Sequence, residues 1–407
     1  MNIYISGISG TGMGPLALMA KKAGMNVCGS DLNKGAIYDE LVSAGIEVEI
    51  GEQDGEFLKA QLEKGVDWFV YTSALPETHA ELMLAREAGI KCTKRDDFTA
   101  FLVEKLGLKM VAVAGTHGKT TTTAMIVWAA MKLGLPVSYI VGTTLGFAVS
   151  GSYKSGDKFF VYEADEYDRN FLKYHPWLAV IPAVSYDHPD IYPTKEDYAQ
   201  AFLQFESQSE RVIKDAGDTS DFKLAGEARR HDAGLALRAI MAMAPETKRE
   251  EVIEIINEFP GVGRRFERLA EGVYTDYAHH PEEISATMDV AKDEKRLHGY
   301  KGIVVVYQPH QNTRQHEVRD GYFDAFDGAD KIYWLPTYLT RENPDLAVLT
   351  PAELISGLKN KEVAEAAEMD DKLAIELRKY VDDGYLVILM TAGPADGWLR
   401  KKFVDFS

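Results

Sequence analysis

The sequence predicts an α/β protein of three domains, and three observations carry that prediction. A short apolar strand at residues 2–6 runs into a glycine-rich turn, Gly7-Ile8-Ser9-Gly10-Thr11-Gly12-Met13-Gly14, ahead of a helical pattern. A second apolar run, Val111-Ala112-Val113-Ala114, leads into Gly115-Thr116-His117-Gly118-Lys119-Thr120-Thr121 and again into a helix, Thr122 to Leu133. Later apolar runs end in clusters of acidic, histidine or arginine residues, and the carboxyl ends of strands are where open α/β sheets place their sites.

Composition sets the outer bounds. A chain of 407 residues is long enough for two or three domains, and 46% hydrophobic with 27% charged residues is ordinary for a globular protein. A net charge of −18 opposes nucleic acid and anionic lipid, so any nucleotide has to be held by local positive groups. Cys28 and Cys92 make no disulfide framework and lack metal-ligand spacing, which suits a reducing compartment. No window approaches the ~18–20 apolar residues of a membrane helix, and Met1-Asn2-Ile3-Tyr4-Ile5 does not read as a signal peptide. The expectation is a cytoplasmic protein with no nucleic-acid partner and no membrane insertion.

The first domain is expected over residues 1–106. Its strand 2–6, glycine turn, helix Pro15–Ala23 and second strand Asn26–Gly29, ending at Ser30-Asp31, make a Rossmann-like opening. Two readings of this opening stand. In one, a diphosphate lies on the helix N-terminus with Asp31 near a ribose; in the other, the glycines serve a tight turn and Asp31 is a helix cap. A further strand at Val66–Thr72 and helices at Thr78–Ala88 and Asp96–Lys105 complete the domain.

The second domain is expected over residues 107–262. Strand, glycine loop and helix form a phosphate cradle, in which loop N–H groups and the helix N-terminus face oxyanions, Lys119 adds charge and a hydroxyl can reach Mg²⁺. The full P-loop spacing would place a glycine at 113, where this chain has Val, so the loop is a shortened variant and Gly115 must make the turn. Strands follow near Val137–Val141 and Lys158–Tyr162, the latter ending in Glu163-Ala164-Asp165-Glu166-Tyr167-Asp168. Acids at a strand end beside a phosphate loop suit a divalent cation. The strand Leu178–Ile181 leads to Ser185-Tyr186-Asp187-His188, and helices are expected at Lys195–Phe205, Glu227–Met243 and Lys248–Phe259, with a short polar stretch at 206–224.

The third domain, 263–407, opens on the basic cluster Arg264-Arg265-Phe266-Glu267-Arg268. It reads β-β-α-β-α-β, with strands near Val273–Thr275, Ile303–Tyr307, Lys331–Trp334 and Leu386–Met390. Two strand ends carry Asp276-Tyr277-Ala278-His279-His280-Pro281 and Gln308-Pro309-His310-Gln311-Asn312-Thr313-Arg314.

Gly115-Thr-His-Gly-Lys-Thr-Thr, Glu163-Ala-Asp-Glu, Asp187-His188, Arg264-Arg-Phe-Glu and Asp276-Tyr-Ala-His-His-Pro resemble, in that order, the motifs of the Mur ligases, ATP-dependent amide ligases of peptidoglycan precursor synthesis. Within the family the chain is most similar to members that add L-alanine to UDP-N-acetylmuramate, with some similarity to those that attach a murein tripeptide. The resemblance implies a Rossmann-like N-terminal domain, a shortened central P-loop ATPase domain and a Rossmann-like C-terminal domain. It also implies a reaction in which ATP phosphorylates the muramyl carboxylate and an amine attacks the acyl phosphate. ATP and Mg²⁺, with Mn²⁺ as an alternative, are the implied cofactors, and UDP-N-acetylmuramate with L-alanine or a murein peptide the substrates of a monomer or homodimer.

The resemblance also implies roles by residue. Lys119, Glu163, His188, Arg265, His280 and Arg314 would be catalytic, and Thr120, Glu163 and His188 would hold metal. Gly115, Thr116, His117, Gly118, Lys119, Thr120 and Thr121 would bind ATP together with His231, Arg265 and Asp276. Gly7, Ser9, Gly10, Thr11, Gly12, Met13, Asp31 and Ser73 would bind the UDP-sugar, and Tyr277, His279, His310 and Arg314 the amino acid. Five departures from the family pattern are visible: the stretch before His231 is short, Asp232 replaces an Asn, Ala183 and Thr275 replace an Asn and an acid, and Gln311 replaces an Arg. They leave the accepting amine open and keep a non-catalytic nucleotide-binding protein as the alternative from another class. A dinucleotide-dependent oxidoreductase would explain only the first glycine turn.

Overall fold

The structure is a computed structural model that describes residues 1–404 apart from residues 36, 73, 74, 144, 189, 190 and 341. Ser73, expected at the UDP-sugar, lies outside the described residues. The chain forms two compact units: Met1–Phe222 with His231–Pro260, and Lys223–Arg230 with Gly261–Ser407.

The first unit contains two sheets. In the first sheet, β1 (Asn2–Ser6), β2 (Asn26–Asp31), β3 (Glu47–Ile50), β4 (Trp68–Tyr71) and β5 (Lys91–Lys94) are all parallel in the order β3-β2-β1-β4-β5. Its central strands are almost wholly buried, as parallel strands covered on both faces must be. The strand order reverses between β1 and β4, so the loop after β1 sits at the switch point where open sheets bind ligands.

The second sheet comprises β6 (Lys109–Val113), β7 (Val137–Ile140), β8 (Gly151–Ser152), β9 (Phe159–Glu163), β10 (Leu178–Val180) and β11 (Val212–Ile213), in the order β11-β10-β6-β9-β7-β8. Only β8 runs antiparallel. Register positions the site: Val113 of β6 pairs with Glu163 of β9 and with Val180 of β10. The loops after these three neighbouring strands therefore emerge side by side at the carboxyl end of the sheet. One apolar core serves both sheets, running from Ile3, Ile5 and Trp68 through Phe98 and Leu102 of helix Arg95–Lys105 to Phe160, Tyr162 and Tyr174. Burying each such large side chain is worth about 1.5–3 kcal/mol.

The second unit holds β12 (Glu267–Ala270), β13 (Val273–Asp276), β14 (Ile303–Gln308), β15 (Lys331–Trp334), β16 (Ala364–Ala366) and β17 (Leu386–Thr391), in the order β12-β13-β17-β14-β15-β16. Apolar clusters cover both faces, one around Tyr307, Phe326 and Trp334 and the other around Val306, Leu377 and Leu399.

The structure corrects the expected β-β-α-β-α-β order of this unit. The 18-residue helix Pro281–His298 separates β13 from β14, and the chain opens instead with the β12–β13 antiparallel hairpin. The helix's inward stripe includes Thr287 and Ala291 among Ile284, Met288 and Val290, which weakens its apolar period. Beyond β12, the strands β3, β5, β8, β11 and β16 also go unread in the sequence. They are edge or near-edge strands of two to four residues with half-polar sequences such as Glu-Val-Glu-Ile and Lys-Cys-Thr-Lys.

Candidate active site

The phosphate loop leaves β6 and enters helix Lys119–Lys132, whose N-cap is Gly118 at φ +80°. Two glycines are sterically required. A Cβ on Gly115 would stand 2.6 Å from the carbonyl oxygen of Ala183, and one on Gly118 would stand 2.6 Å from Oδ1 of Asp232 and 2.9 Å from Cβ of Pro182. Thr116 ties the loop to the segment after β10: its N–H donates to Ala183 O at 2.8 Å, its hydroxyl donates to Ser185 O at 2.6 Å, and it accepts from Ser185 N–H at 3.0 Å. His117 forms a backbone bridge with Ala183.

Lys119 and Thr120 face the acids that end β9. The Lys119 ammonium donates to Glu166 Oε2 at 2.8 Å and Oε1 at 3.0 Å, and to the carbonyl of Gly115 at 2.6 Å. Thr120 Oγ1 donates to Glu163 Oε1 at 2.9 Å, while among the described residues the buried Glu163 Oε2 has no hydrogen-bond partner. His188, in the left-handed region at φ +57°, places Nε2 3.6 Å from Glu166 Oε1 and 3.6 Å from Asp187 Oδ2. Of the three expected metal residues, Thr120 and Glu163 are thus in direct contact, whereas His188 is directed to Glu166 and Asp187.

Electrostatics follow from this crowding. Burial disfavours the charged Lys119, but Glu166, Asp165 and Glu163 outweigh it and raise its pKa. Burial works against the Glu166 carboxylate, yet Lys119 and His188 pull its pKa below the ordinary value. For Asp165, burial and Glu166 outweigh the opposing charges of Lys119 and Arg95 and push its pKa up. For His188, burial is again outweighed, here by the carboxylates of Glu166 and Asp187, and the pKa rises.

Whether a hard divalent cation suits these residues can be judged from the donors present. A threonine hydroxyl touching a carboxylate whose second oxygen is buried and unpaired is an oxygen-only pair of the kind Mg²⁺ prefers. The imidazole of His188 is the less suitable donor.

In the first sheet, the glycine turn is braced from beneath. The N–H groups of Gly7 and Ile8 both donate to Ser30 O, at 2.8 and 3.0 Å. Asp31 accepts from Ser9 N–H at 2.8 Å and from Asn33 N–H at 3.3 Å, so its carboxylate braces the turn rather than capping a helix: the N-caps of the helices after β1 and β2 are Gly12 and Ile37. Helix Met13–Lys22 starts inside the turn, with Gly12 as N-cap. Below lies a fully buried carboxylate that the sequence reading missed: Glu81 accepts from Tyr4 OH, Ser6 Oγ and Ser30 Oγ, each at 2.6 Å, and from Gln53 Nε2 at 3.4 Å.

In the second unit the expected residues gather at the ends of β13 and β14. Tyr277, His279, His310 and Tyr338 form a row of ring contacts with centroids 5.4, 5.8 and 5.7 Å apart. Arg265 and Arg264 both lie over the Tyr277 ring, at 5.1 and 4.6 Å. Asp276 accepts from Phe266 N–H and Ala278 N–H, each at 2.7 Å, so both carboxylate oxygens hold backbone; burial raises its pKa and Arg265 partly offsets this. The charge of Arg314 is felt by the buried Tyr307–Tyr322 pair. His280 precedes helix Pro281–His298, where Glu283 accepts its N–H and that of His279.

His231 lies near Asp215, and it is the next residue, Asp232, that packs on the phosphate loop. Besides Asp232, the sequence reading left Glu166 and Asp187 out of the site. Glu166 had a signal, since it closes the quoted Glu-Ala-Asp-Glu motif. Asp232 had none beyond its departure from the family pattern.

Comparison with known proteins agrees along the whole chain. Residues 2–105 match the Mur ligase family catalytic domain, residues 113–233 the Mur ligase middle domain and residues 264–393 the Mur ligase glutamate ligase domain. The chain is 30% identical to a UDP-N-acetylmuramate–L-alanine ligase of Clostridium botulinum (strain Okra / Type B1), over 96% of this chain and 95% of that one. It is 29% identical to the enzyme of the same name from Chlorobium chlorochromatii, over 96% and 94%. The Clostridium alignment extends over 450 positions against 407 residues here, so that relative carries segments this chain lacks. Among solved structures, the fold is similar to the UDP-N-acetylmuramate-alanine ligase MurC of Thermotoga maritima, with TM-score 0.77, 23% identity and coverage of 100% and 99%. It is also similar to the murein peptide ligase of Psychrobacter arcticus, with TM-score 0.64, 21% identity and coverage of 99% and 98%. With three ordered domain matches and a relative of 30% identity over nearly its full length, the chain belongs to the Mur ligase family.

Proposed function

We propose that the chain is an ATP-dependent amide ligase that joins L-alanine to the lactyl carboxylate of UDP-N-acetylmuramate through an acyl phosphate, in peptidoglycan precursor synthesis. The observation that carries this reading is the contact of Thr120 Oγ1 with Glu163 Oε1 beside the Lys119 ammonium, at the junction of three strand ends. Phosphoryl transfer asks a protein for position and positive charge more than for covalent help. In this reading Lys119 draws the β- and γ-phosphates, and the loop N–H groups with the helix N-terminus orient them. Thr120 and Glu163 hold Mg²⁺, which when bound neutralises phosphate charge, and His188 adds a weaker donor.

The remaining assignments belong to the same proposal. The turn Gly7–Gly14 takes the UDP diphosphate, and His231, Arg265 and Asp276 contact ATP. Tyr277, His279, His310 and Arg314 receive the amino acid, His280 acts in catalysis, and the domain boundaries lie at 106 and 262. Incubation with UDP-N-acetylmuramate, ATP and Mg²⁺, with L-alanine or the tripeptide, while ADP release is followed, tests the reading. Turnover with alanine supports it. No turnover with either amine, despite measurable ATP binding, removes it.

One feature bears on the tripeptide alternative. Asn312 holds the segment 347–349 by hydrogen bonds to Ala347 O and from Leu349 N–H, and Thr313 binds Glu342. The two residues that follow Gln311 therefore have structural work, and the departure in this loop that bears on the choice of amine is Gln311, at φ +62°.

A further inference from the structure

The turn Gly7–Gly14 has no positive side chain of its own, and the chain carries a net charge of −18. A diphosphate there needs a local cation as well as backbone N–H groups. Arg95, the first residue of helix Arg95–Lys105, lies against the turn: a Cβ on Gly12 would stand 2.8 Å from its Nη1 and 3.7 Å from its Cδ. This is also where the turn becomes helix Met13–Lys22, so the guanidinium stands at the helix's positive end.

The guanidinium is held but underused. Among the described residues its only hydrogen-bond acceptor is the neighbouring Asp96, at 3.2 and 3.5 Å from Nη2, and its buried Nε has no partner. An arginine offers five donors in a fixed fork, and orphaning a buried one is unfavourable. Asp96 is itself fixed by Tyr174 OH at 2.6 Å and, from the second sheet, by Tyr162 OH at 3.2 Å. Lys94, one residue earlier, is by contrast paired with Asp168. A second orphan among the described residues belongs to the turn itself, the buried hydroxyl of Ser9.

We propose that Arg95 is the diphosphate-binding cation of the nucleotide-sugar site, its open donors completing the anion cradle that the turn Gly7–Gly14 begins. This rests on reading that turn as the UDP-sugar site. A purely structural Arg95 would serve only to neutralise Asp96 and the nearby Asp165.

Equilibrium binding to the full chain without ATP separates the two roles. UDP, UDP-N-acetylglucosamine and UDP-N-acetylmuramate share the diphosphate, only the last has a carboxylate, and uridine has neither. Arg95→Ala is expected to weaken all three diphosphates alike, by about tenfold or more for a lost charge-assisted hydrogen bond, with uridine and ATP binding unchanged. Arg95→Lys should lose less. Gly12→Ala, whose methyl displaces the guanidinium without removing it, should reproduce the loss. Unchanged diphosphate binding in Arg95→Ala overturns the assignment, as does an equal loss for uridine or a loss confined to UDP-N-acetylmuramate. If Arg95→Ala does not fold, wild-type binding in both Arg95→Lys and Gly12→Ala overturns it. A wild-type chain that binds ATP but no uridine diphosphate removes the nucleotide-sugar reading of the turn and this assignment with it. Wild-type binding that Arg95→Ala leaves intact removes this assignment alone.

Discussion

The Nζ atom of Lys119 stands 2.8 Å from Oε2 of Glu166, and the two side chains are 16% and 1% exposed. The phosphate-loop lysine is thus neutralised by an acid of its own sheet, and any phosphate drawn to it competes with that carboxylate. The same pairing means that Lys119 supports the fold as well as the chemistry.

Lys119→Ala is therefore expected to abolish turnover and also to destabilise the protein by about 3 kcal/mol, because it leaves Glu166 buried without its cation. Adding Glu166→Gln should recover most of the stability and none of the turnover. Urea unfolding of the two single variants and the double variant checks this. Equal stability of Lys119→Ala and wild type would show that the pair contributes nothing to the fold.

Gly118→Ala is expected to cost about 1–3 kcal/mol, since alanine must hold φ near +80° with its methyl against Asp232 Oδ1. Gly115→Ala meets the backbone carbonyl of Ala183, which cannot turn aside as a side chain can, so the larger loss of ATP affinity belongs there. Thermal unfolding and ATP titration of both variants test the ranking.

Glu81→Ala should destabilise the first sheet by about 3 kcal/mol, because Tyr4, Ser6 and Ser30 lose their common acceptor inside the core. Glu81→Gln, which keeps an acceptor oxygen, should cost less. A denaturant midpoint for Glu81→Ala equal to wild type would mean that the three hydroxyls find other partners.

Burial pushes the Cys28 thiol up to about 12. At pH 8 the thiolate fraction is then on the order of one in ten thousand, against a free thiol near ~8.5. Alkylation of Cys28 in the folded protein should rise about tenfold per pH unit from pH 8 to 10. The sign for stability follows from the raised folded value. The contribution is complete below ~8.5, where the unfolded thiol ionises, and is lost as pH rises toward 12. Peptide mapping after iodoacetamide, with and without urea, reads the first effect directly, and rapid labelling without urea at pH 8 would refute it.

The parts of this fold that the sequence reveals are those where one local rule suffices. The run Val111–Ala114, the glycines and Lys119 announce strand, turn and helix together, and Glu163 ends a strand where an apolar run stops, while Asp187-His188 lies in the loop beyond the strand Leu178–Val180. What stays hidden depends on contacts distant in sequence. That Glu166 faces Lys119 follows from the parallel register of β6 and β9, and the placement of Asp232 against Gly118 requires a helix more than 100 residues further along the chain. The roles of Glu81 and Asp96 are equally tertiary, because a carboxylate on a helix gives no sequence sign that hydroxyl donors from other elements will surround it. Short edge strands fail for a different reason, since three or four half-polar residues cannot establish a period.

The two-residue strands β8 and β11 close the second sheet at opposite edges. A long, flat outermost strand offers a row of unsatisfied amide and carbonyl groups on which another chain can nucleate. Edges only two residues long leave almost no such template, so the sheet that holds the phosphate loop is guarded against aggregation from both sides by brevity alone.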